Sequence, residues 1–330
     1  LRSGPNSPSP SGEGLGWGLS SSRRGAGGEA PPPAPPLKGR GDFLVAVALS
    51  LLPLAACAPT VTPPRPPVPP PAAAPRIVEG TDFRLSGAIE QGGLAMGIVP
   101  AAIRSLSFDG RSIGFAPDGR FLVAFDRDAA PTARIEAIAA DGTILRRTLS
   151  VAPRQWKIES LPTLPRGTTP TPEFLARRKL ELDQIAAARA IDSGSQGWRQ
   201  RFIWPAKGRI SGIFGSQRIY AGEPGAYHAG VDVAQPAGTP IVAPADGVVI
   251  LAAAAPFSLE GNLLMIDHGM GLNSAFLHLS RIDVKPGQAV KQGQPLGAIG
   301  MTGRATGPHL HWAVKWHEAR IDPQPLAGPQ

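Results

Sequence analysis

The sequence predicts a mainly β protein in which two β-rich regions are joined by one helix, and three observations carry that prediction. Between residues 77 and 160, short alternating segments are punctuated by Asp-Gly pairs at Asp109, Asp118 and Asp141, the strongest short-range hairpin signal. Between 198 and 330, strand-like runs are broken by glycines, and Val284-Lys-Pro-Gly and Val290-Lys-Gln-Gly repeat one turn phrase, which suits the tight corners of an antiparallel sheet. Only the stretch from Pro172 to Ile191 has helical periodicity.

In chain order, the 330 residues allow about two domains, and the single cysteine excludes an intramolecular disulfide framework. Residues 1–41 are rich in Gly, Ser and Pro and lack a long apolar run, so they cannot bury a core. They read either as a disordered arm or as a segment upstream of a natural start near Lys38 to Phe43. Residues 42–57 read as a targeting signal: Lys38 and Arg40 precede the apolar run Phe43 to Leu54, which is shorter than a membrane span of about 20 residues. The run ends in Leu54-Ala-Ala-Cys57 and resembles a bacterial lipoprotein signal peptide with its lipobox. The resemblance implies lipidation at Cys57 and an anchored rather than a freely secreted protein. Ala58 at the next position, by the same resemblance, favours the outer membrane. Residues 58–76 carry TPPRPPVPPPAAAP, a semi-rigid extended linker that gives reach from a membrane surface.

Residues 77–160 then read as a small β-sandwich-like accessory domain. Phe83–Ile89, Ile103–Phe108 and Phe121–Phe125 alternate as half-buried strands do. No metal-ligating or nucleophilic cluster falls in this region, so its expected role is structural or regulatory: positioning the region that follows, or covering its groove until a partner binds. Residues 161–197 form a linker and a connecting helix. Thr171 caps it, Pro172 fits the first turn, and Leu175, Leu182, Ile185 and Ala186 share a face interrupted by Arg178 and Arg189. The narrow stripe predicts a mostly solvated helix, with packing against either neighbouring region as the alternative, ended by Ser193-Gly194-Ser195. The last region, 198–330, opens with strand-like pieces at Phe202–Pro205, Ile210–Gly215 and Ile219–Tyr220. It continues with the β-rich run Thr239–Ala255 and a hairpin of Leu263–Ile266 with Asn273–Leu279.

Chemistry concentrates in this last region. It holds HAGVD at His228, FLHLS around His278, and HLH at His309 to His311. His309 and His311 alternate with Leu310 and Trp312 behind a proline, so on a strand both imidazoles point to one face, with Cα atoms roughly 7 Å apart. His228 and Asp232 would be roughly 13 Å apart on a strand, whereas two ligands of one zinc, each about 2.0–2.2 Å from it, need side chains almost touching. A helix would bring them together, but Gly230, Val231, Val233 and Pro236 oppose it. We therefore expect a bend at Gly230, with His228 on a loop and Asp232 opening a strand. A His, Asp, His set leaves one tetrahedral position open, as catalytic zinc sites do. Isolated histidines are usually core or surface residues, but three of the six in this chain fall into two phrases with ligand-like spacing.

The longer pattern of HAGVDVAQPAGTPIVAPADGVV, NLLMIDHGMGLNSAFLHLS and VKPGQAVKQGQPLGAIGMTGRATGPHLHW resembles the lysostaphin-like, or LytM-type, zinc metalloendopeptidases, which cut peptide bonds in bacterial peptidoglycan. The resemblance covers roughly residues 205–323. It implies Zn2+ held by His228, Asp232 and His311, with His278 and His309 as the catalytic pair, and leaves open which of the pair is the general base. No His-Glu-x-x-His helix supplies a carboxylate base, which is consistent with histidines moving the protons. The chain departs from many relatives at Phe276, where they carry Tyr, and at Ala313, where Glu follows an aromatic. His268 reads as structural within a turn-like Asp-His-Gly phrase, and His317 as solvated.

A formal charge of +8 and a pI near 10.2 suit anionic peptidoglycan or an anionic membrane surface. Nucleic acid does not fit an exported chain, and the glycines have no phosphate-loop context. The resulting expectation is a cell-envelope peptidase domain at 198–330, held on a lipid anchor and acting during wall growth or division, with a possible regulatory protein partner. The alternatives are a non-enzymatic LytM-type activator of a cell-wall amidase, whose zinc motif is usually degraded, and a wall-binding lipoprotein needing no ordered zinc.

Overall fold

In a computed structural model of the chain, residues 75–100, 102–165 and 169–330 are described. The signal, Cys57 and most of the proline-rich linker lie outside the described residues. Nine short strands come first: β1 (Ile77–Val78), β2 (Ser86–Gly87), β3 (Leu94–Ile98), β4 (Ile103–Phe108), β5 (Arg111–Ile113), β6 (Arg120–Ala124), β7 (Thr132–Ala139), β8 (Ile144–Ser150) and β9 (Ile158–Leu161). Asp109-Gly110 and Asp141-Gly142 sit in the tight turns joining β4 to β5 and β7 to β8, with positive φ at Asp109 and at both glycines. Such conformations cost glycine little.

Two sheets result, β1-β8-β7-β4-β5 and β2-β3-β6. Their inward residues alternate along the strands, Leu106 and Phe108 on β4 and Ile135 and Ala137 on β7. Phe108 meets Phe125, just past β6, edge-on at 5.8 Å between ring centroids. The arrangement matches the expected β-sandwich-like region, and its buried residues run into those of the carboxy-terminal sheet, where Phe108 also meets Trp316 at 6.0 Å.

Helix α1 (Pro172–Arg189) is capped by Thr171, whose Oγ1 accepts from the Phe174 amide at 3.2 Å. Most of it is solvated, as its narrow stripe predicts, but the face that does pack shares only Ile185 with that stripe. Arg178, Glu181, Ile185 and Ala188 are buried, while Leu175 is 54% exposed. The reason is electrostatic: Arg178 reaches Glu260 bidentately at 2.6 and 2.7 Å and Glu181 at 3.2 Å, and Glu181 also accepts from Ser258. Paired charges are buried here and the leucine is left in water. Ile185 and Ala188 complete the seal, packing with Ile250, Leu251, Leu263 and Met265 of the carboxy-terminal sheet.

That sheet contains β10 (Arg209–Gly212), β13 (Val231–Ala234), β15 (Gly247–Ala252), β16 (Asn262–Gly269), β17 (Leu272–Leu279), β19 (Ala289–Val290), β21 (His309–Trp316) and β22 (Ala319–Ile321). Its order is β10-β13-β21-β17-β16-β15-β19, with β22 pairing the end of β21 beyond β13, and it is antiparallel throughout. Smaller strands β11 (Gln217–Tyr220), β12 (Glu223–Pro224), β14 (Pro240–Val242), β18 (Arg281–Ile282) and β20 (Pro295–Ala298) form two flanking sheets, and α2 (Pro323–Ala327) closes the chain. Phe202–Pro205, expected as a strand, pairs with no ladder; Phe202 and Trp204 are buried all the same. His268 lies near the end of β16 rather than in the turn, which falls at Met270-Gly271.

The two faces of the large sheet have different tasks. Val231, Val233, Leu264, Ile266, Phe276, Leu310, Trp312 and Val314 alternate onto one face and join the main core. Leu263, Met265, Ala275, Leu277 and Ala313 point the other way, where α1 covers part of the surface. Asp232, His309 and His311 belong to this second face by alternation. Strand β9 pairs in parallel with β11, so the backbone that leaves the amino-terminal sheets joins the structure leading into His228.

Candidate metal centre

Two adjacent strands and one loop build the site. Asp232 on β13 stands directly opposite His311 on β21, and Ala234 opposite His309. The same register puts Val231 against Trp312 on the buried face, so core packing fixes where the polar pairs stand. His228 precedes β13 on a loop, and the chain bends toward the strand through Gly230. A Cβ there would fall 2.6 Å from His311 Nε2 and 2.6 Å from the Trp312 carbonyl oxygen, so only glycine allows the close approach.

The side chains converge tightly. His228 Nε2 lies 3.1 Å from Asp232 Oδ1 and 3.0 Å from His311 Nδ1, and His311 Nδ1 lies 2.9 Å from the same carboxylate oxygen. The other nitrogen of His228, Nδ1, is 3.1 Å from the Ile213 carbonyl. A carbonyl only accepts, so that nitrogen carries the proton in the neutral ring and Nε2 presents a lone pair to the carboxylate. With both rings neutral, at most one proton, on His311 Nδ1, is left to share among three acceptor atoms. A cation among them satisfies the set, and two imidazole nitrogens with one carboxylate oxygen are ligands suited to zinc. His228, Asp232 and His311 are the group among the described residues that could hold a metal ion.

Electrostatics show the same demand for positive charge. Burial resists charging of His228, but the Asp232 charge, its hydrogen bond and the Ile213 carbonyl outweigh that and raise the imidazole's pKa. Burial pushes Asp232 the other way, yet His228 and His311 hold its carboxyl well below the usual carboxylate range. His311 is lowered, chiefly by burial.

Two further imidazoles stand beside this cluster. His309 Nε2 is 3.8 Å from Asp232 Oδ1, and the rings of His278 and His309 are 4.9 Å apart. His278 Nδ1 meets the Thr302 carbonyl at 2.8 Å, and His309 Nδ1 meets the Gly307 carbonyl at 2.8 Å. By the same tautomer argument each keeps its proton on Nδ1 and its lone pair on Nε2. Burial, with the charges of His311 and His309, pushes the pKa of His278 down to about 3. It is held neutral.

Strand alternation alone would turn His278 away, since it is two residues from Phe276, which faces the core. The β16–β17 ladder slips at this point: Asn262 stands opposite Leu279 and Leu264 opposite Phe276, leaving Leu277 and His278 against Leu263 alone. This is a β-bulge, and His278 takes φ +65 within it, a conformation uncommon outside glycine. The His278 amide donates to the Glu260 carbonyl at 2.8 Å. The bulge re-aims the ring onto the face of His309 and His311. The sequence showed His278 in its phrase but carried no signal for the bulge.

The remaining histidines are elsewhere. His268 is fully buried between the Asp246 carbonyl and Ser274 Oγ, each at 2.8 Å, and burial pushes its pKa down to about 4. His317 is exposed beside Trp316. Phe276 packs in the core against Leu264 and Trp312, and Ala313 lies under α1.

An antiparallel β-sheet carrying a convergent His–Asp–His cluster, with two further imidazoles beside it, defines a candidate metal-site architecture. Comparison with known proteins gives the particular class. The profile of peptidase family M23 matches residues 226–323. A solved structure from Pseudomonas aeruginosa, described as a peptidase M23, is 33% identical with a TM-score of 0.57, covering 72% of this chain and 95% of that one. The chain belongs to peptidase family M23 and is similar to the lysostaphin-like group expected from its motifs. Peptidoglycan DD-endopeptidase ShyA of Vibrio cholerae is 44% identical over 116 residues, 35% of this chain and 26% of that protein. DD-carboxypeptidase/endopeptidase Mpg of Neisseria meningitidis is 40% identical over 118 residues, 36% of this chain and 26% of that protein. The matches span about a quarter of the length of these curated relatives.

Proposed function

We propose that the chain is a zinc metalloendopeptidase of the cell envelope that hydrolyses peptide cross-links of peptidoglycan. The observation that carries this reading is the convergence of His228 Nε2, Asp232 Oδ1 and His311 Nδ1 within 3.1 Å, with the rings of His278 and His309 alongside. The similarity to peptidoglycan DD-endopeptidases supports the substrate class.

In this reading His228, Asp232 and His311 hold Zn2+. When bound, it would lower the pKa of a coordinated water toward about 7 and polarise the scissile carbonyl. The chain's own residues handle the protons. His278 and His309 each present an Nε2 lone pair while carbonyls fix the far side of the ring, so either can accept a proton and return it to the leaving amine. Asp232 stays ionised beside both histidine ligands, which keeps the cluster's demand for a cation at neutral pH.

The proposal also includes an accessory unit at 77–160, a peptidase unit at 198–330, and anchoring through Cys57 on the periplasmic side of the outer membrane. The test uses the full chain: zinc content, and release of cross-linked muropeptides from purified sacculi, with and without a chelator. Zinc near one per chain and chelator-sensitive release are the expected result. Asp232→Ala and His311→Ala should lose zinc and release together. Either variant retaining stoichiometric zinc refutes the ligand set, and zinc without release in the wild-type chain points to an activator role.

A further inference from the structure

We propose that the amino-terminal sheets are a working part of the metal site: Asp126, Arg127 and Trp156 form a saddle that fixes the loop carrying His228 and so sets how firmly that ligand is presented. This rests on the ligand set proposed above and assigns a task to residues 72 to 102 positions upstream of His228.

The loop's dependence on its neighbours begins with His228 itself. Its amide donates to the Ser216 carbonyl at 2.8 Å, its carbonyl accepts from the Gly215 amide at 2.9 Å, and its Nδ1 donates to the Ile213 carbonyl at 3.1 Å. The turn from Ile213 to Ser216 therefore fixes both the backbone and the ring of one ligand. This turn is held from the other side by residues of the amino-terminal region. Arg127, only 6% exposed, donates from Nε to the Gly215 carbonyl at 2.9 Å and from Nη2 to Gln217 Oε1 at 3.0 Å. Trp156 covers Gly215 so closely that a Cβ there would fall 2.1 Å from its ring, and it meets Phe214 edge-on at 5.8 Å.

The residue before His228 is held in the same way. Tyr227 donates its hydroxyl to Asp126 Oδ1 at 2.8 Å and accepts from Arg320 Nη1 at 3.0 Å. Asp126 Oδ2 accepts from the Arg320 amide at 2.9 Å. The guanidinium groups of Arg127 and Arg320 lie 4.9 and 5.3 Å from the Tyr227 ring centroid, where the ring quadrupole attracts both. Tyr227 is thus held at its hydroxyl by Asp126 and Arg320 and at its ring by Arg127 and Arg320.

Two links separate Arg127 from the ligand: its hydrogen bond to Gly215, and the Gly215 amide bonded to the His228 carbonyl. Metal ligand distances tolerate about 0.2 Å, and losing a group that orients a ligand typically lowers metal affinity 10–100-fold. Arg127, Asp126 and Trp156 are positioning residues in this sense.

The test is the apparent zinc dissociation constant of the full chain at 25 °C, by competition with a chromophoric chelator. The visible spectrum of the cobalt-substituted protein is recorded in parallel. Arg127→Ala and Tyr227→Phe should weaken zinc binding about tenfold or more and shift the cobalt bands while the protein remains folded. Leu106→Ala, in the core between the amino-terminal sheets, should lower the melting temperature and leave both readouts unchanged. Tyr227→Phe removes one oxygen atom and stands as the test if Arg127→Ala does not fold. Unchanged affinity and spectrum in Tyr227→Phe and in folded Arg127→Ala overturn the proposal, as does an equal loss in Leu106→Ala. A wild-type chain that binds no zinc removes the ligand reading itself, which is a different failure.

Discussion

Substituting Gly230 by alanine should separate metal binding from folding. The new methyl would stand 2.6 Å from His311 Nε2, 2.6 Å from the Trp312 carbonyl oxygen and 2.9 Å from His311 Cε1, where ordinary contact begins at 3.4 Å. Something must move by about 0.8 Å, the difference between 3.4 and 2.6. The Trp312 backbone cannot move far, because it is paired with Val231 on one side and Phe276 on the other. The imidazole of His311 must therefore tilt, by about four times the 0.2 Å that metal ligand distances tolerate. We expect zinc affinity to fall about 100-fold, with an overpacking cost of about 1–3 kcal/mol in stability. Thermal unfolding with and without zinc reads both. At a zinc concentration 100 times the wild-type Kd, the wild-type chain gains about 2.7 kcal/mol, roughly 5–10 °C, whereas a 100-fold weaker variant gains only about 0.4 kcal/mol. A Gly230→Ala chain that gains the full wild-type shift would refute the argument that this glycine makes room for His311.

His278→Ala should keep zinc near one per chain and lose about 10²–10⁴ in turnover; near-normal muropeptide release would remove His278 from the reaction. Glu260→Ala leaves Arg178 buried without its bidentate partner and should cost about 3–5 kcal/mol, measured by denaturant unfolding, and a loss under 1 kcal/mol would mean that the α1 contact is not held by this pair. His268 gives a pH dependence. Its pKa in the folded chain is about 4 against an ordinary 6.5, so between those values the unfolded chain takes up a proton that the folded chain does not. Its contribution is therefore fully present above about pH 6.5 and is lost as pH falls toward 4, by about 3 kcal/mol in all. The melting temperature of His268→Gln should fall less steeply than that of the wild-type chain across this window, and parallel slopes would show that burial of the neutral ring is not the cause.

The parts of this molecule that were legible in its sequence are those in which one local rule acts alone. Alternation along HLHWAV put His309 and His311 on one face, and the structure has both beside Asp232. The 13 Å problem between His228 and Asp232 demanded a bend, and Gly230 supplies it. Asp-Gly pairs marked turns and the mainly β class followed from them. Where two demands compete, the local rule failed. The apolar stripe on α1 grouped Leu175 with Ile185 on a mostly solvated helix, but the face that packs carries the buried Arg178–Glu260–Glu181 network and leaves that leucine exposed. Nothing in the helix sequence names its partner at Glu260, which is 82 residues from Arg178.

His278 shows why the site needs more than its motif. Its phrase reads as plain strand, and strand periodicity would bury the imidazole beside Phe276 in the main core. Its place next to His309 depends on one surplus residue opposite Leu263, on a backbone at φ +65, and on the Glu260 carbonyl that accepts from its amide. A conformation of this kind costs about 1–3 kcal/mol and persists only where its surroundings enforce it. Here the enforcement comes from α1, because the segment that receives the His278 amide is pinned through Glu260 to Arg178. The helix that reads as a connector therefore supports one imidazole of the site, as the amino-terminal saddle supports the His228 loop. The 98 residues matched by the family profile, 226 to 323, contain every side chain of the candidate site and exclude Arg178, Arg127 and Trp156. A chain cut to that segment would keep every histidine and lose the contacts that aim two of them.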